Sequence, residues 1–315
     1  MDANTPITFL MPVKNGEKYI SRAMGQLLRN YKQGDQILVV DDNSSDQTAR
    51  MLEEYSYKYN FVQVFKNPGS GLVSGLNFGI RCAQNPWIAR FDVDDIYVDN
   101  RIEEQRKIIS DETVAIFCDY HFLNDFGENL GHMPSAIFPS ATSISLITST
   151  RSPHPGVIFN RTAAIEVGLY RSEDFLAEDL SLWLRLSRVG SLRTCPLDLL
   201  GYVLNSESIT ANNRLKMLRK KQEVIEKIGI NPKDIETICS EIDDVFSAYN
   251  QTEYGQERKI LLFRDLLILS KYNQLNWSIP RLLQKGFKSI FNPQTLSIMI
   301  HFELQKRKRK RIRLN

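Results

Sequence analysis

The sequence predicts an α/β protein built on a mostly parallel sheet with helices on both faces. Two observations carry that expectation. Over about the first 110 residues, short apolar runs alternate with segments of helical period, a βαβαβαβα rhythm. Two of the runs, 36–40 and 87–91, end in clustered acids at strand C-termini, the edge where open α/β sheets bind ligands.

Taken in order, 7–13 is an apolar run of strand length, and 19–30 carries apolar residues at helical period. Residues 36–40 form a second strand, with Ser44 or Ser45 placed to cap a helix reaching about residue 59. A third strand spans 61–66, Asn67-Pro68-Gly69-Ser70-Gly71 is a turn, and 72–83 a helix. The fourth strand is 87–91, followed by a helix over 101–110. Beyond Val114 come further strands, a hairpin at Gly127, a short strand at 157–160 and a helix over 180–189 opening after Glu178-Asp179. From about residue 212 the pattern is helical, at 215–228, 235–249 and 257–272. The expected organisation is a catalytic domain over 1–211, a helical C-terminal region over 212–304 and a basic tail over 305–315.

Composition fits a globular chain: 42% hydrophobic residues are enough for a full core in one or two domains. The net charge of +3 conceals an asymmetry. Lys306 to Arg313 holds seven positive charges, which leaves the remainder at about −4. Cys82, Cys118, Cys195 and Cys239 lack metal-ligand or disulfide spacing and suit a reducing cytosol. The 7–13 run is too short for a signal peptide and is followed at once by Lys14. No apolar stretch reaches membrane-spanning length.

The densest chemistry lies in Ala89-Arg90-Phe91-Asp92-Val93-Asp94-Asp95, an apolar strand ending in three acids within four residues. Clustered carboxylates repel one another, and a hard cation such as Mg²⁺ or Mn²⁺, shared with a substrate phosphate, relieves that repulsion. Capping the next helix would need one acid, not three. Asp41-Asp42 ends the second strand, where a turn capped by Asn43 and Ser44 explains the acids on local chemistry as well.

Met11-Pro12-Val13-Lys14-Asn15-Gly16, Val40-Asp41-Asp42-Asn43-Ser44-Ser45-Asp46, Asn77-Phe78-Gly79-Ile80, the Asp92-Val93-Asp94 segment, His154-Pro155 and Glu178-Asp179 occur in that order. Together they resemble family 2 glycosyltransferases of the GT-A fold, inverting enzymes with nucleotide-sugar donors. The resemblance covers roughly residues 5–210. It implies that Asp94 ligates Mn²⁺ or Mg²⁺, with Asp92 and Val93 beside the ribose and Asp95 in support. It implies that Asp42 meets the base or ribose against a wall of Pro12, Val13 and Lys14, although Lys14 replaces a frequent aromatic residue. Asp179 would be the catalytic base, with Glu178 orienting it or capping the helix, and His154 would lie near the donor phosphates or acceptor. Acids at 178–179 also suit any helix start through its dipole. Trp183 and Arg185 read as packing and ion-pairing residues. The Gln-x-x-Arg-Trp motif and membrane spans of processive members are missing.

Two other readings stand beside this one. The 69–75 loop, Gly69-Ser70-Gly71-Leu72-Val73-Ser74-Gly75, follows a strand and opens a helix, as a dinucleotide phosphate loop of an NADP-type oxidoreductase would. It lies in the third βα unit rather than the first, and its downstream acid is embedded in a cluster. A non-catalytic membrane adaptor is the third class, but it has no need of Asp42, Asp94 and Asp179 together. Near the C-terminus, Leu283, Phe287, Ile290 and Phe291 share a helical side with Arg281, Lys285 and Lys288 elsewhere, and the basic tail follows. That pattern suits an interfacial helix on an anionic membrane surface rather than nucleic acid. The expectation is a cytoplasmic enzyme, peripheral on the inner face of the membrane, acting on a glycan or glycolipid acceptor.

Overall fold

The computed structural model describes residues 5–135, 146, 152–205 and 209–229. The helices expected at 235–249 and 257–272, the 281–304 segment and the basic tail lie outside the described residues.

Strands β1 (Ile7–Val13), β2 (Gln36–Asp41), β3 (Val62–Lys66) and β4 (Trp87–Arg90) alternate with helices α1 (Glu17–Asn30), α2 (Thr48–Lys58) and α3 (Leu72–Cys82). Then follow β5 (Ile96–Tyr97), α4 (Arg101–Arg106), β6 (Thr113–Leu123), β7 (Asn129–Met133), β8 (Ile158–Asn160) and α5 (Arg161–Glu166). Helix α6 (Glu178–Leu186), β9 (Ser191–Val203), α7 (Ile209–Asn212) and α8 (Arg214–Ile228) complete the described chain. The sheet runs β3-β2-β1-β4-β8-β6-β9-β5, with β7 paired to β6. Its first half is parallel, as the βα rhythm requires; β8 then pairs antiparallel with both β4 and β6. The hairpin expected at Gly127 joins β6 and β7, with Gly127 at φ 78°.

Side-chain alternation sorts the strands between two cores. Leu10, Leu38 and Val40 face α3 and α6, where Trp183 is fully buried. Phe9, Met11, Ile37 and Val39 face α1 and α2 with Ile20, Leu27 and Leu52. Val224 of α8 joins the first core. A buried ion pair closes the N-terminal edge: Arg106 Nη2 lies 2.8 Å from both carboxylate oxygens of Asp35. The same carboxylate accepts the Ile7 and Lys32 amides at 2.9 and 3.1 Å.

One capping expectation is corrected. Neither Ser44 nor Ser45 caps α2, which starts at Thr48 with no side-chain cap from Gln47. The Ser44 hydroxyl instead turns back to Asp41 Oδ1, a nearer acceptor. Arg185 also departs from expectation. Its guanidinium donates to the carbonyls of Ser181, Val167 and Leu169, so it ties α6 to the chain following α5 instead of pairing with an acid.

Candidate active site

The loops after β1 and β2 are knitted together. The Asn15 amide donates to Ser44 Oγ at 2.9 Å, and the Ser45 amide to Asn15 Oδ1 at 2.8 Å. The Gly16 amide donates to Thr48 Oγ1 at 2.8 Å. Pro12 lies opposite Val40 and Val13 opposite Asp41, so the expected wall stands beside the acids. A Cβ on Gly16 would meet Val13 Cγ2 at 2.6 Å and Val93 Cγ2 at 3.3 Å; only glycine lets the β1 loop approach the acid loop so closely. Val13 and Val93, distant in sequence, therefore share one surface.

Asp42 is buried, and its carboxylate accepts Asn67 Nδ2 at 2.7 Å and the Gly71 amide at 2.9 Å. Lys14 Nζ is 3.7 Å from its other oxygen. Gly71 sits at φ 83°, a backbone setting that favours glycine. A cavity of about 420 Å³ beside Asp41, Asn43, Glu53 and Lys66 includes none of Asp42, Asp92, Asp94 or Asp179.

The acid loop is held from three sides. The Asp92 amide donates to the Tyr97 hydroxyl at 2.6 Å, and Asp92 Oδ1 accepts Arg90 Nη2 at 2.5 Å. Arg22 of α1 donates to the Asp94 carbonyl at 2.6 Å. The Val203 amide at the end of β9 donates to Asp95 Oδ1 at 2.8 Å. Just beyond, Asn205 bonds to the Asp94 carboxylate and to the Tyr19 hydroxyl. Burial raises the Asp94 carboxyl, and the Asp92 charge raises it further. Asp95 is pushed well above the usual carboxylate range by burial and then by Asp94 and Asp92. Mutual repulsion in a part-buried acid cluster is the electrostatic state that a bound cation relieves.

Glu178 and Asp179 open α6. Glu178 is buried and accepts the Leu176 amide at 2.8 Å. Burial, followed by the neighbouring Asp179, pushes its carboxyl up to about 7. Asp179 is only half-buried; Oδ1 accepts the Leu180 amide at 2.7 Å, and Oδ2 has no partner among the described residues. His154 Nε2 lies 2.8 Å from the Tyr170 hydroxyl, and its ring packs against Trp183 at 5.9 Å. Burial and the Arg90 charge hold the imidazole well below its ordinary value, so it is neutral. The buried Tyr170 hydroxyl feels the charges of Arg90, Asp179, Glu178 and Asp92 together. The Tyr170 hydroxyl is thus within electrostatic reach of acids at both the end of β4 and the start of α6.

The sequence profile described as Glycosyl transferase family 2 matches residues 8–169, just over half of the chain. The chain belongs to glycosyltransferase family 2. An uncharacterized glycosyltransferase of Haemophilus influenzae is 23% identical over 296 residues, covering 84% of this chain and 87% of that protein. An uncharacterized glycosyltransferase of Rickettsia conorii is 28% identical over 198 residues, or 60% of this chain. This chain spans only 32% of the Rickettsia protein's length. Among solved structures, a mannosyltransferase of Pyrobaculum calidifontis in complex with GDP-Man and Mn²⁺ superposes with a TM-score of 0.60. It is 14% identical, and the match covers 94% of this chain and 84% of that one. A TarS fragment of S. aureus in complex with UDP has a TM-score of 0.57 at 16% identity, covering 90% of this chain and 87% of that one. These likenesses establish the GT-A fold.

The family match sets aside the oxidoreductase reading, and the 69–75 loop supplies the physical reason. The Asp42 carboxylate already holds the Gly71 amide at the start of α3, where a dinucleotide phosphate would have to bind. As for a cation, no three His, Cys, Asp or Glu converge as a cage among the described residues. Asp92 and Asp94 nonetheless fit one. Two hard carboxylates are the donor set that Mg²⁺ or Mn²⁺ completes with substrate phosphate and water.

Arg90, Tyr170, Val203 and Asn205 were not singled out from the sequence. Arg90 lies within the quoted motif, and its isolated charge in an apolar strand was the available signal. Nothing local marks Asn205, which reaches the site only through the topology.

Proposed function

We propose that this family 2 member moves a single sugar from a nucleotide-diphosphate donor, UDP-linked, to an acceptor hydroxyl, inverting the anomeric centre without processivity. The observation that carries the reading is the part-buried acid cluster ending β4, where Arg90 holds Asp92 beside Asp94, together with the acid pair that opens α6. One set of acids suits a diphosphate's cation, and the other suits proton removal. The complexes of structural neighbours with GDP-Man, UDP and UDP-GlcNAc support a nucleoside-diphosphate sugar as the donor class.

In this reading Pro12, Val13, Lys14, Asp42 and Val93 cradle the nucleoside. Asp94, joined by the Asp92 carboxylate that the resemblance sets beside the ribose, would hold a divalent cation, which would supply positive charge to the diphosphate leaving group. Asp179 takes the acceptor proton as that oxygen attacks the anomeric carbon. Its exposure favours it over Glu178, whose carboxyl is buried. Glu178 orients the helix start. His154, neutral and engaged with Tyr170, shapes the wall between the two groups of acids and takes no part in proton transfer. The acceptor is a hydroxyl of a lipid-linked glycan, reached by a cytoplasmic enzyme resting on the inner membrane face through its basic C-terminal residues.

Calorimetric titration of UDP and GDP with and without Mn²⁺ tests this. Manganese-dependent binding of one nucleoside diphosphate, lost in Asp94→Ala but unchanged between wild type and variant in EDTA, is the expected result. Metal-independent binding, or none of either nucleotide, would overturn the reading.

A further inference from the structure

Strand β4 ends in a cation that the roles above leave unused. Arg90 is 1% exposed and among the largest fully buried side chains. Its amide donates to the Val157 carbonyl at 2.9 Å, placing it beside the His154–Gly156 turn. Its own carbonyl accepts Arg101 Nη1 at 3.0 Å. Nη1 donates to the Phe91 carbonyl and Nη2 to Asp92 Oδ1, while Nε has no hydrogen-bond partner among the described residues. A guanidinium buried with an unfilled donor is expensive unless its charge is used. Burial opposes that charge, but Asp92, Tyr170 and Tyr97 more than offset the penalty, so Arg90 stays protonated.

The charge has two audiences. On one side it grips Asp92. On the other, the Arg90 strand pairs beside the turn that carries His154, which is bonded to Tyr170, and the Arg90 charge lowers the Glu178 carboxyl against the opposing push of burial and Asp179.

We propose that Arg90 is a positioning residue shared by both halves of the site. It fixes the Asp92 carboxylate for the donor's cation and supplies the buried positive charge facing the Glu178–Asp179 helix start. With Oδ1 of Asp92 held by the guanidinium, its other oxygen is left for the cation. The positive charge also lets Glu178 and Asp179 stand next to one another at a buried helix start. This inference rests on the function proposed above.

The test uses the full chain with Arg90→Lys and Arg90→Met, thermal melts reporting the fold. Mn²⁺ is titrated in saturating UDP or GDP, and the protonated-carboxyl infrared band that Glu178→Gln removes is followed against pH. Arg90→Met should weaken Mn²⁺ about 10–100-fold, as loss of a group orienting a metal ligand does. It should also move the Glu178 band midpoint above its wild-type position near pH 7. Arg90→Lys, keeping the charge without the fork, should lose Mn²⁺ affinity but leave the band in place. Should Arg90→Met not fold, Arg90→Lys carries the test through that separation of effects. Wild-type Mn²⁺ affinity in a folded variant, or an unmoved band in folded Arg90→Met, overturns the proposal. If the wild type binds neither nucleotide with Mn²⁺, the proposed function fails, and the infrared arm still decides whether Arg90 acts on Glu178.

Discussion

Replacing Glu178 by glutamine should stabilise the protein, and the gain should grow with pH. In the fold the Glu178 carboxyl is raised from 4.5 to about 7 by burial and Asp179, with Arg90 and the Leu176 amide pulling the other way. A carboxyl raised on folding contributes its stability below its unfolded value, and that contribution is lost as pH climbs through the folded value. At about 1.4 kcal/mol per pH unit, the span corresponds to about 3 kcal/mol of penalty once Glu178 is ionised. Glutamine keeps an oxygen for the Leu176 amide and carries no charge. The variant should therefore match the wild type at pH 4 and exceed it by about 3 kcal/mol at pH 8, or roughly 6–12 °C in Tm. Thermal melts in matched buffers from pH 4 to 8 measure it. A difference independent of pH would refute the reasoning, because size and hydrogen bonding do not titrate.

Three further outcomes are expected. Asp179→Asn should abolish sugar transfer while leaving UDP or GDP affinity within about twofold, since a base contributes to the chemical step rather than to donor binding; substantial turnover would remove it from that role. Asp35→Ala strands the buried Arg106 guanidinium and should cost about 3–5 kcal/mol in urea unfolding, and a loss below 1 kcal/mol would show that the pair is solvated. Deleting residues 305–315 should release the protein from anionic vesicles, each basic residue being worth about 1 kcal/mol there; unchanged co-sedimentation counts against membrane docking.

Local pattern made the parallel half of the fold legible. Short continuous apolar runs such as Ile37 to Val40, bounded by turn residues, fit strands covered on both faces, and the acids that end them lie at the sheet edge where open α/β sheets bind ligands. The mixed second half, where β9 pairs parallel with β6 while β5, β7 and β8 pair antiparallel, was harder to read. Strand β5 spans two residues, too short for any period to register, whereas β8 matches the short strand expected at 157–160. Ser44 was misplaced because capping rules weigh the helix ahead of a serine, whereas here the acceptor lies three residues behind it. Val203 and Asn205 escaped notice because their partnership with the acid loop exists only after β9 has crossed the sheet. Arg90 was visible as a letter but not as a role, since charge inside an apolar strand acquires meaning only from what surrounds it.

Asp42 gives a warning for genetics. Its carboxylate anchors Asn67 and Gly71 as well as having a place in the proposed donor wall, so a substitution there removes a loop's mooring along with any ligand contact. An inactive Asp42 variant would therefore say little about donor recognition by itself. Exchange of the Gly71 amide with solvent deuterium separates the two. A variant that loses nucleotide while that amide stays protected has lost a contact, and one in which both fail has lost the scaffold.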